Sequence, residues 1–382
     1  GHYHGALKNW VKLQDEHECF YFVADWHALT TGYEDTSRLP EFTHEMVIDW
    51  LAAGLNPGVA TLFVQSHVPE HAELHLLLSM ITPLSWLERV PTYKDQQAEL
   101  QEKDLATYGF LGYPLLQSAD ILLYRPGFVP VGEDQVAHVE ITREVARRFN
   151  HLFGREVGFE EKAEKAVAEL GGKNSKIYRE LRRKFQETGD VASLEQARAI
   201  VQSNTRITVA DRERLLGYLE GSSVSILPEP QVLLTPTPKL PGLDGRKMSK
   251  SYGNTIGLRE EPDSIAKKLK TMQTDPARVR RTDVGDPEKC PVWSLHQVYS
   301  DEPTRAWAAA GCRSAGIGCL ECKKPLIDKV VADASAMRSR AEEYEQNPEL
   351  VRAILAEGSE KAREAARETL DEVRRAMHLR GD

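Results

Sequence analysis

The chain has no apolar run approaching the ~20 residues that a membrane-crossing helix requires, so a membrane-spanning role is not expected. It also lacks an excess of positive charge. Lys and Arg total 49 against 58 Asp and Glu, a net charge of −9, which excludes a uniformly basic nucleic-acid coat but leaves local patches able to hold RNA. Cysteine is scarce, at five residues in 382. The opening Gly1-His2-Tyr3-His4-Gly5 has none of the features of a signal peptide, and the cytoplasm is the expected compartment. No tandem repeat or low-complexity tract is visible. What remains is ordinary for a globular protein, 41% hydrophobic and 28% charged, and long enough to predict more than one domain.

Short apolar runs bounded by turn residues predict buried parallel strands at residues 19–25, 58–65, 120–124, 128–131 and 232–234. Amphipathic stretches such as 45–53 and 72–80 lie between them. Strands alternating with helices predict an α/β fold, a Rossmann-like doubly wound parallel sheet, whose ligands bind at the carboxyl ends of strands. Residues just after strands therefore carry extra weight. Charge-rich helical sequence over 151–226 predicts a helical insertion. The expected division is 1–150 and 227–256 for the sheet domain, 151–226 for the insertion and 257–382 for a C-terminal α-helical domain. Residues 340–378 are nearly all helix formers, with interruptions expected near Asn347-Pro348 and Gly358. Pro228, Pro230, Pro236, Pro238 and Pro241 predict a stiff approach to residues 247–251.

Residues 247–251 read Lys247-Met248-Ser249-Lys250-Ser251. Glycines flank this segment at Gly245 and Gly253, permitting positive φ and a mobile backbone. Two ammonium groups three residues apart can close on a departing polyphosphate. Tyr113, Gln117 and Asp120 stand at helical spacing, and Asp120 adjoins the apolar Ile121-Leu122-Leu123. A carboxylate there needs a donor, which an indole N–H or a phenol O–H would supply, although a capping aspartate would look the same. Gly132-Glu133-Asp134-Gln135 ends a strand with carboxylates that can accept from ribose hydroxyls. His71 and His75 are four apart, as on a zinc helix, but no third ligand has suitable spacing and the segment reads as a surface helix.

The lysine segment resembles the KMSKS loop of class I aminoacyl-tRNA synthetases. With Val23-Ala24-Asp25-Trp26-His27-Ala28, Tyr113-Pro114, Ala119-Asp120 and Val129 to Gln135, it stands in the order found in tryptophanyl-tRNA synthetases. The opening Gly1-His2 is similar to the end of the family's HIGH-type motif. The resemblance implies that Asp120 takes the indole N–H of L-tryptophan, with His27, Tyr113, Gln117, Val129, Val131 and Gln135 around the amino acid. It implies ATP contacts at Gly1, His2, Gly132, Glu133, Asp134, Leu240 and Lys247 to Ser251, with Lys247, Lys250 and His2 catalytic and Mg²⁺ on the phosphates. It also implies tRNA(Trp) as partner, anticodon reading by residues 257–382, and a homodimer. The strand that precedes the HIGH-type motif is not in the chain. Either a further segment precedes Gly1, or this form does not activate amino acids; the intact remainder of the site favours the first.

Cys290, Cys312, Cys319 and Cys322 are separated by 21, 6 and 2 residues. Four thiolates with one tight pair suit a metal, either zinc or a 4Fe-4S cluster. Some bacterial tryptophanyl-tRNA synthetases carry a cluster at similar spacing, so the resemblance favours iron–sulfur, with zinc second. Two basic groups are candidates for tRNA: Arg278, Arg280 and Arg281, and Lys176, Arg179, Arg182, Arg183 and Lys184. The alternatives are a tyrosyl-tRNA synthetase, for which Gln117 and Asp120 would grip a phenol, a non-catalytic RNA-binding paralogue, and a nucleotidyltransferase of the same superfold.

Overall fold

The computed structural model describes residues 3–90, 107–154, 158–221, 224–235, 240–249 and 252–379. It divides into two units. One comprises residues 1–25, 35–64 and 235–359, the other 26–34, 65–234 and 360–382.

In the first unit, strands β1 (Cys19–Val23) and β2 (Ala60–Val64) pair in parallel, with Cys19 opposite Ala60 and Val23 opposite Val64. Cys19, Tyr21 and Val23 point inward from β1, the period of two expected of a pleated strand. Trp10 stacks on Tyr21 at 4.7 Å. Helix Leu39–Ala53 buries Val47, Ile48, Trp50 and Leu51 on the same core and ends at Gly54, whose φ of 114° is left-handed. Helices Cys319–Gln346 and Pro348–Ala376 break at Asn347 as the sequence predicts.

The interruption expected at Gly358 does not occur; the helix runs straight through it. Its glycine serves a close approach instead, because a Cβ there would stand 1.8 Å from the carbonyl oxygen of Leu62 in β2. A second core in this unit gathers Leu240, Ile265, Leu269, Val292, Leu295 and Leu326.

In the second unit, β3 (Phe128–Val131) pairs in parallel with β4 (Gln231–Leu234). The strand expected at 120–124 is absent from this unit's described residues. Asp120 and Ile121 belong instead to helix Tyr108–Leu122, and Leu123 N–H still bonds Ala119 O at 3.0 Å. A four-residue apolar run cannot distinguish a strand from the buried end of a helix. Helix Val136–Phe153 packs along it, with Ser118 Oγ 2.9 Å from Thr142 Oγ1. Over 159–220, four helices close around Phe159, Val167, Tyr178, Leu194, Leu215 and Leu219.

Candidate active site

Asp120 lies in the last turn of helix Tyr108–Leu122 and is 3% exposed. Its Oδ1 accepts from Gln65 Nε2 at 2.8 Å and lies 2.7 Å from His71 Nδ1. Its Oδ2 lies 2.7 Å from His27 Nε2. Burial alone would push this carboxyl up, but the hydrogen bonds it shares with His27 and His71 outweigh it and hold the group below the usual carboxylate range. A carboxylate offers about four lone-pair sites. Among the described residues three are occupied, so the remaining one is on Oδ2, beside His27.

Two of these partners escaped the sequence reading. Gln65 follows β2 directly, a place where ligand groups are expected, and that signal was available. His71 stands on the buried face of helix Glu70–Ser79, with Glu70, Leu74 and Leu78, while Ala72 and Leu76 on the other face are exposed. Its role could not be seen because its partners, Asp120 and Tyr124, are 49 and 53 residues away.

His27 also faces Tyr113, with ring centroids 6.4 Å apart at 80°. The Tyr113 hydroxyl lies 3.1 Å from Nε2 of the buried His138, whose Nδ1 is 2.7 Å from Gln135 Oε1. If His138 carries its proton on Nδ1, it donates to the Gln135 amide and accepts from the phenol. Asp120, His27, Tyr113 and Gln135 are thus brought into one connected group, through a histidine that sequence reasoning missed. Gln117 is partly buried on the same helix as Tyr113 and Asp120. Val129 and Val131 lie on β3. A hollow of about 390 Å³ opens beside this group, lined by Trp26, Leu29, Tyr33, His75 and Tyr113. After β3, Gly132 is extended and Glu133–Gln135 form a single 3₁₀ turn.

In the first unit, the lysine segment leaves a tight turn. Pro241 and Lys247 form an antiparallel bridge, and Gly242 N–H bonds Arg246 O at 2.7 Å. Gly245 and Gly253 have φ of 80° and 63°, the left-handed values for which glycine is suited. Asn254, 3% exposed, ties the two sides of the lysine turn together. Its Nδ2 donates to Asp244 Oδ1 at 2.8 Å and to Lys247 O at 3.1 Å, and its Oδ1 accepts from Ser249 N–H at 2.8 Å. A Cβ at Gly242 would stand 2.2 Å from the Asn254 amide, so that glycine is needed for this approach. Leu240 is buried in the second core of this unit. Gly1, His2, Lys250, Ser251, Pro236 and Pro238 lie outside the described residues, as does the side chain of Asp134.

The four late cysteines sit at the starts of helices Pro291–Tyr299 (Cys290) and Cys319–Gln346 (Cys319, Cys322) and near the end of helix Glu302–Arg313 (Cys312). All are free thiols. Burial, then the neighbouring Cys290, Cys312 and Cys319, push the Cys322 thiol up to about 12. His296 Nε2 lies 3.5 Å from Cys322 Sγ. The sulfurs are therefore near enough to feel one another, yet among the described residues no three candidate ligands converge as a single ion requires.

Most charges of the two basic groups already have protein partners. Arg278 is buried and donates to the Ile317 and Arg281 carbonyls, and Arg281 pairs with Glu321. Arg179 pairs with Glu164, Lys184 with Asp190, and Arg182 lies 3.7 Å from the centre of the Tyr218 ring.

The family model for class I tRNA synthetases (W and Y) matches residues 1–176 and 194–333. A tryptophan–tRNA ligase from Ralstonia nicotianae is 65% identical over 379 residues, covering 99% of this chain and 95% of that protein. One from Thermotoga maritima is 44% identical over 381 residues, with 99% and 95% covered. Among solved structures, tryptophanyl-tRNA synthetase from Campylobacter jejuni, complexed with ADP and tryptophan, matches with a TM-score of 0.72 at 26% identity, covering 99% of this chain and 95% of that one.

Proposed function

The chain belongs to the class I tRNA synthetases (W and Y) and works as a tryptophan–tRNA ligase, and on that footing we propose how its residues share the reaction. ATP, with Mg²⁺, drives the activation of L-tryptophan, and the aminoacyl group passes to tRNA.

The tryptophan carboxylate is ionised at neutral pH, so no general base is needed. One of its oxygens bonds to the α-phosphorus of ATP. The bond from that phosphorus to the pyrophosphate oxygen breaks, and the electron pair leaves with pyrophosphate. Rate comes from alignment and from stabilising charge at the phosphates. Lys247 and Lys250 supply that charge, with His2 at the phosphate end, Ser249 and Ser251 lining the loop and Leu240 on the adenine side. Magnesium ion, when bound, neutralises phosphate charge. Gly132, Glu133 and Asp134 take the ribose. In the second step the 2′-hydroxyl oxygen of the terminal adenosine bonds to the carbonyl carbon of the adenylate, the bond from that carbon to the phosphate oxygen breaks, and the hydroxyl proton leaves with AMP.

Asp120 accepts the indole N–H on Oδ2. The observation that carries this reading is the occupancy of its carboxylate: Oδ1 is filled by buried donors, and the open acceptor site lies beside the partly exposed His27. The phenol of Tyr113 and the amide of Gln135 meet the amino-acid head, and Gln117, Val129 and Val131 shape the pocket wall. Pyrophosphate exchange with each amino acid in turn is the test. Tryptophan alone should support it, and Asp120→Ala should abolish that preference. Equal exchange with tyrosine overturns the reading.

Four thiolates from Cys290, Cys312, Cys319 and Cys322, with the tight Cys319/Cys322 pair, suit a 4Fe-4S cluster, and zinc is the second choice. When bound, such a cluster would supply a structural cross-link among three helices. Anticodon reading falls to the helical residues after 257. We also infer a homodimer in the cytoplasm. Leu76, Met80 and Leu84 are 54%, 70% and 61% exposed, large apolar side chains close in sequence that a second copy would cover. Met80→Glu should shift the sedimentation of the protein from dimer to monomer.

A further inference from the structure

We propose that His71 is a positioning residue for tryptophan recognition: locked by Tyr124, its imidazole holds the Asp120 carboxylate so that Oδ2 is left for the indole N–H. The inference rests on Asp120 being the acceptor of that N–H.

An aspartate side chain ends in a soft, roughly two-fold torsion, so a carboxylate without fixed partners presents no lone pair in a constant direction. Here Oδ1 is anchored by two groups with no exposure, Gln65 and His71. Each is itself fixed. Gln65 Oε1 accepts from the backbone N–H of Trp26 at 3.2 Å, which settles which end of its amide faces Asp120. His71 Nε2 lies 2.7 Å from the Tyr124 hydroxyl. When that hydroxyl donates, Nε2 is the acceptor and the ring proton sits on Nδ1, the nitrogen that meets Asp120. Tyrosine, histidine and aspartate thus form a directed chain, phenol to imidazole to carboxylate. The Tyr124 phenol is raised out of reach of ionisation, by burial first and then by Asp120 and Glu70, so it keeps the proton that this bond requires. The chain ends on the one oxygen that the indole does not use. Loss of His71 leaves Oδ1 held by Gln65 alone, so the carboxylate is aimed less firmly and the N–H of the substrate is read less sharply.

The experiment compares L-tryptophan with 3-benzothienyl-L-alanine, in which sulfur replaces the ring N–H, by kcat/KM in pyrophosphate exchange. The wild type should prefer tryptophan by on the order of 100-fold or more. His71→Leu should bring the preference to within about tenfold, through KM for tryptophan and with KM for ATP unchanged. His71→Asn places an amide donor near the Nδ1 position and should keep the preference; His71→Gln and Tyr124→Phe should lose it. If His71→Leu does not fold, the Asn and Gln variants carry the comparison. A lowered melting temperature with the preference intact in His71→Gln and Tyr124→Phe overturns the inference and leaves a purely structural histidine. Asp120→Ala serves as the control. Should it leave the preference unchanged, the indole reading fails and this inference with it; should it abolish the preference while the His71 and Tyr124 variants do not, only this inference fails.

Discussion

Gly358 lies directly against the carbonyl oxygen of Leu62, so close that a Cβ on it would stand 1.8 Å away. Replacing a glycine inside a helix by alanine ordinarily gains about 1 kcal/mol. Gly358→Ala should reverse that sign. Helix and strand would have to separate, and the overpacking should cost on the order of 1–3 kcal/mol. Thermal melting of the variant checks it, and an unchanged or raised melting temperature would contradict the close approach.

Asn254 ties Lys247 O and Ser249 N–H to Asp244. Asn254→Ala removes three bonds from the segment that carries the phosphate-facing lysines. Activation should slow by about tenfold to a hundredfold, as expected when a catalytic group is misplaced by about 1 Å, while KM for tryptophan stays near its wild-type value. Lys247→Ala should show the same pattern. Equal losses in rate and in tryptophan binding would argue against a role confined to the phosphates.

Glu220 and Glu229 form an acidic pair among Arg143, Arg147 and Arg198. Burial first, then Glu229, pushes Glu220 up to about 7, whereas Glu229 is held below the usual range by donors that outweigh its burial. The folded chain therefore keeps a proton on Glu220 that the unfolded chain releases near the ordinary carboxylate value. Stability from this group is present below that value and declines as pH rises toward about 7. Glu220→Gln should flatten this decline, by roughly 1–2 kcal/mol across the window. Melting temperatures from pH 4.5 to 8 measure it, and parallel curves for variant and wild type would refute it.

Protein purified without oxygen should contain iron and acid-labile sulfide in near-equal amounts, with no stoichiometric zinc. Cys322→Ser should lower both together and reduce the melting temperature. Zinc without sulfide in the wild type would replace the cluster with a mononuclear site.

The strands at 19–23, 60–64, 128–131 and 231–234 were legible because buried parallel strands are short apolar runs between turns. The helices over 159–220 were legible from their charge-rich amphipathic pattern. Two readings went wrong for one reason. Residues 120–124 were assigned to a strand and Gly358 to a helix break, because local sequence does not report what packs against it. Ile121-Leu122-Leu123 is apolar since it ends a buried helix, and Gly358 is a glycine since β2 lies behind it.

The sequence by itself determined the family, tryptophan as the amino acid, and the kinds of chemical group available: two lysines on a glycine-flanked segment, an aspartate beside an apolar run, four thiols. These are local facts, set by residue type and spacing. Only the tertiary structure decided that Gln65 and His71 meet on Asp120 across 55 and 49 residues, that His138 joins Tyr113 to Gln135, and that Asn254 organises the lysine turn. Those bonds depend on buried polar groups finding one another as water leaves, an outcome decided by packing and not by the order of residues along the chain.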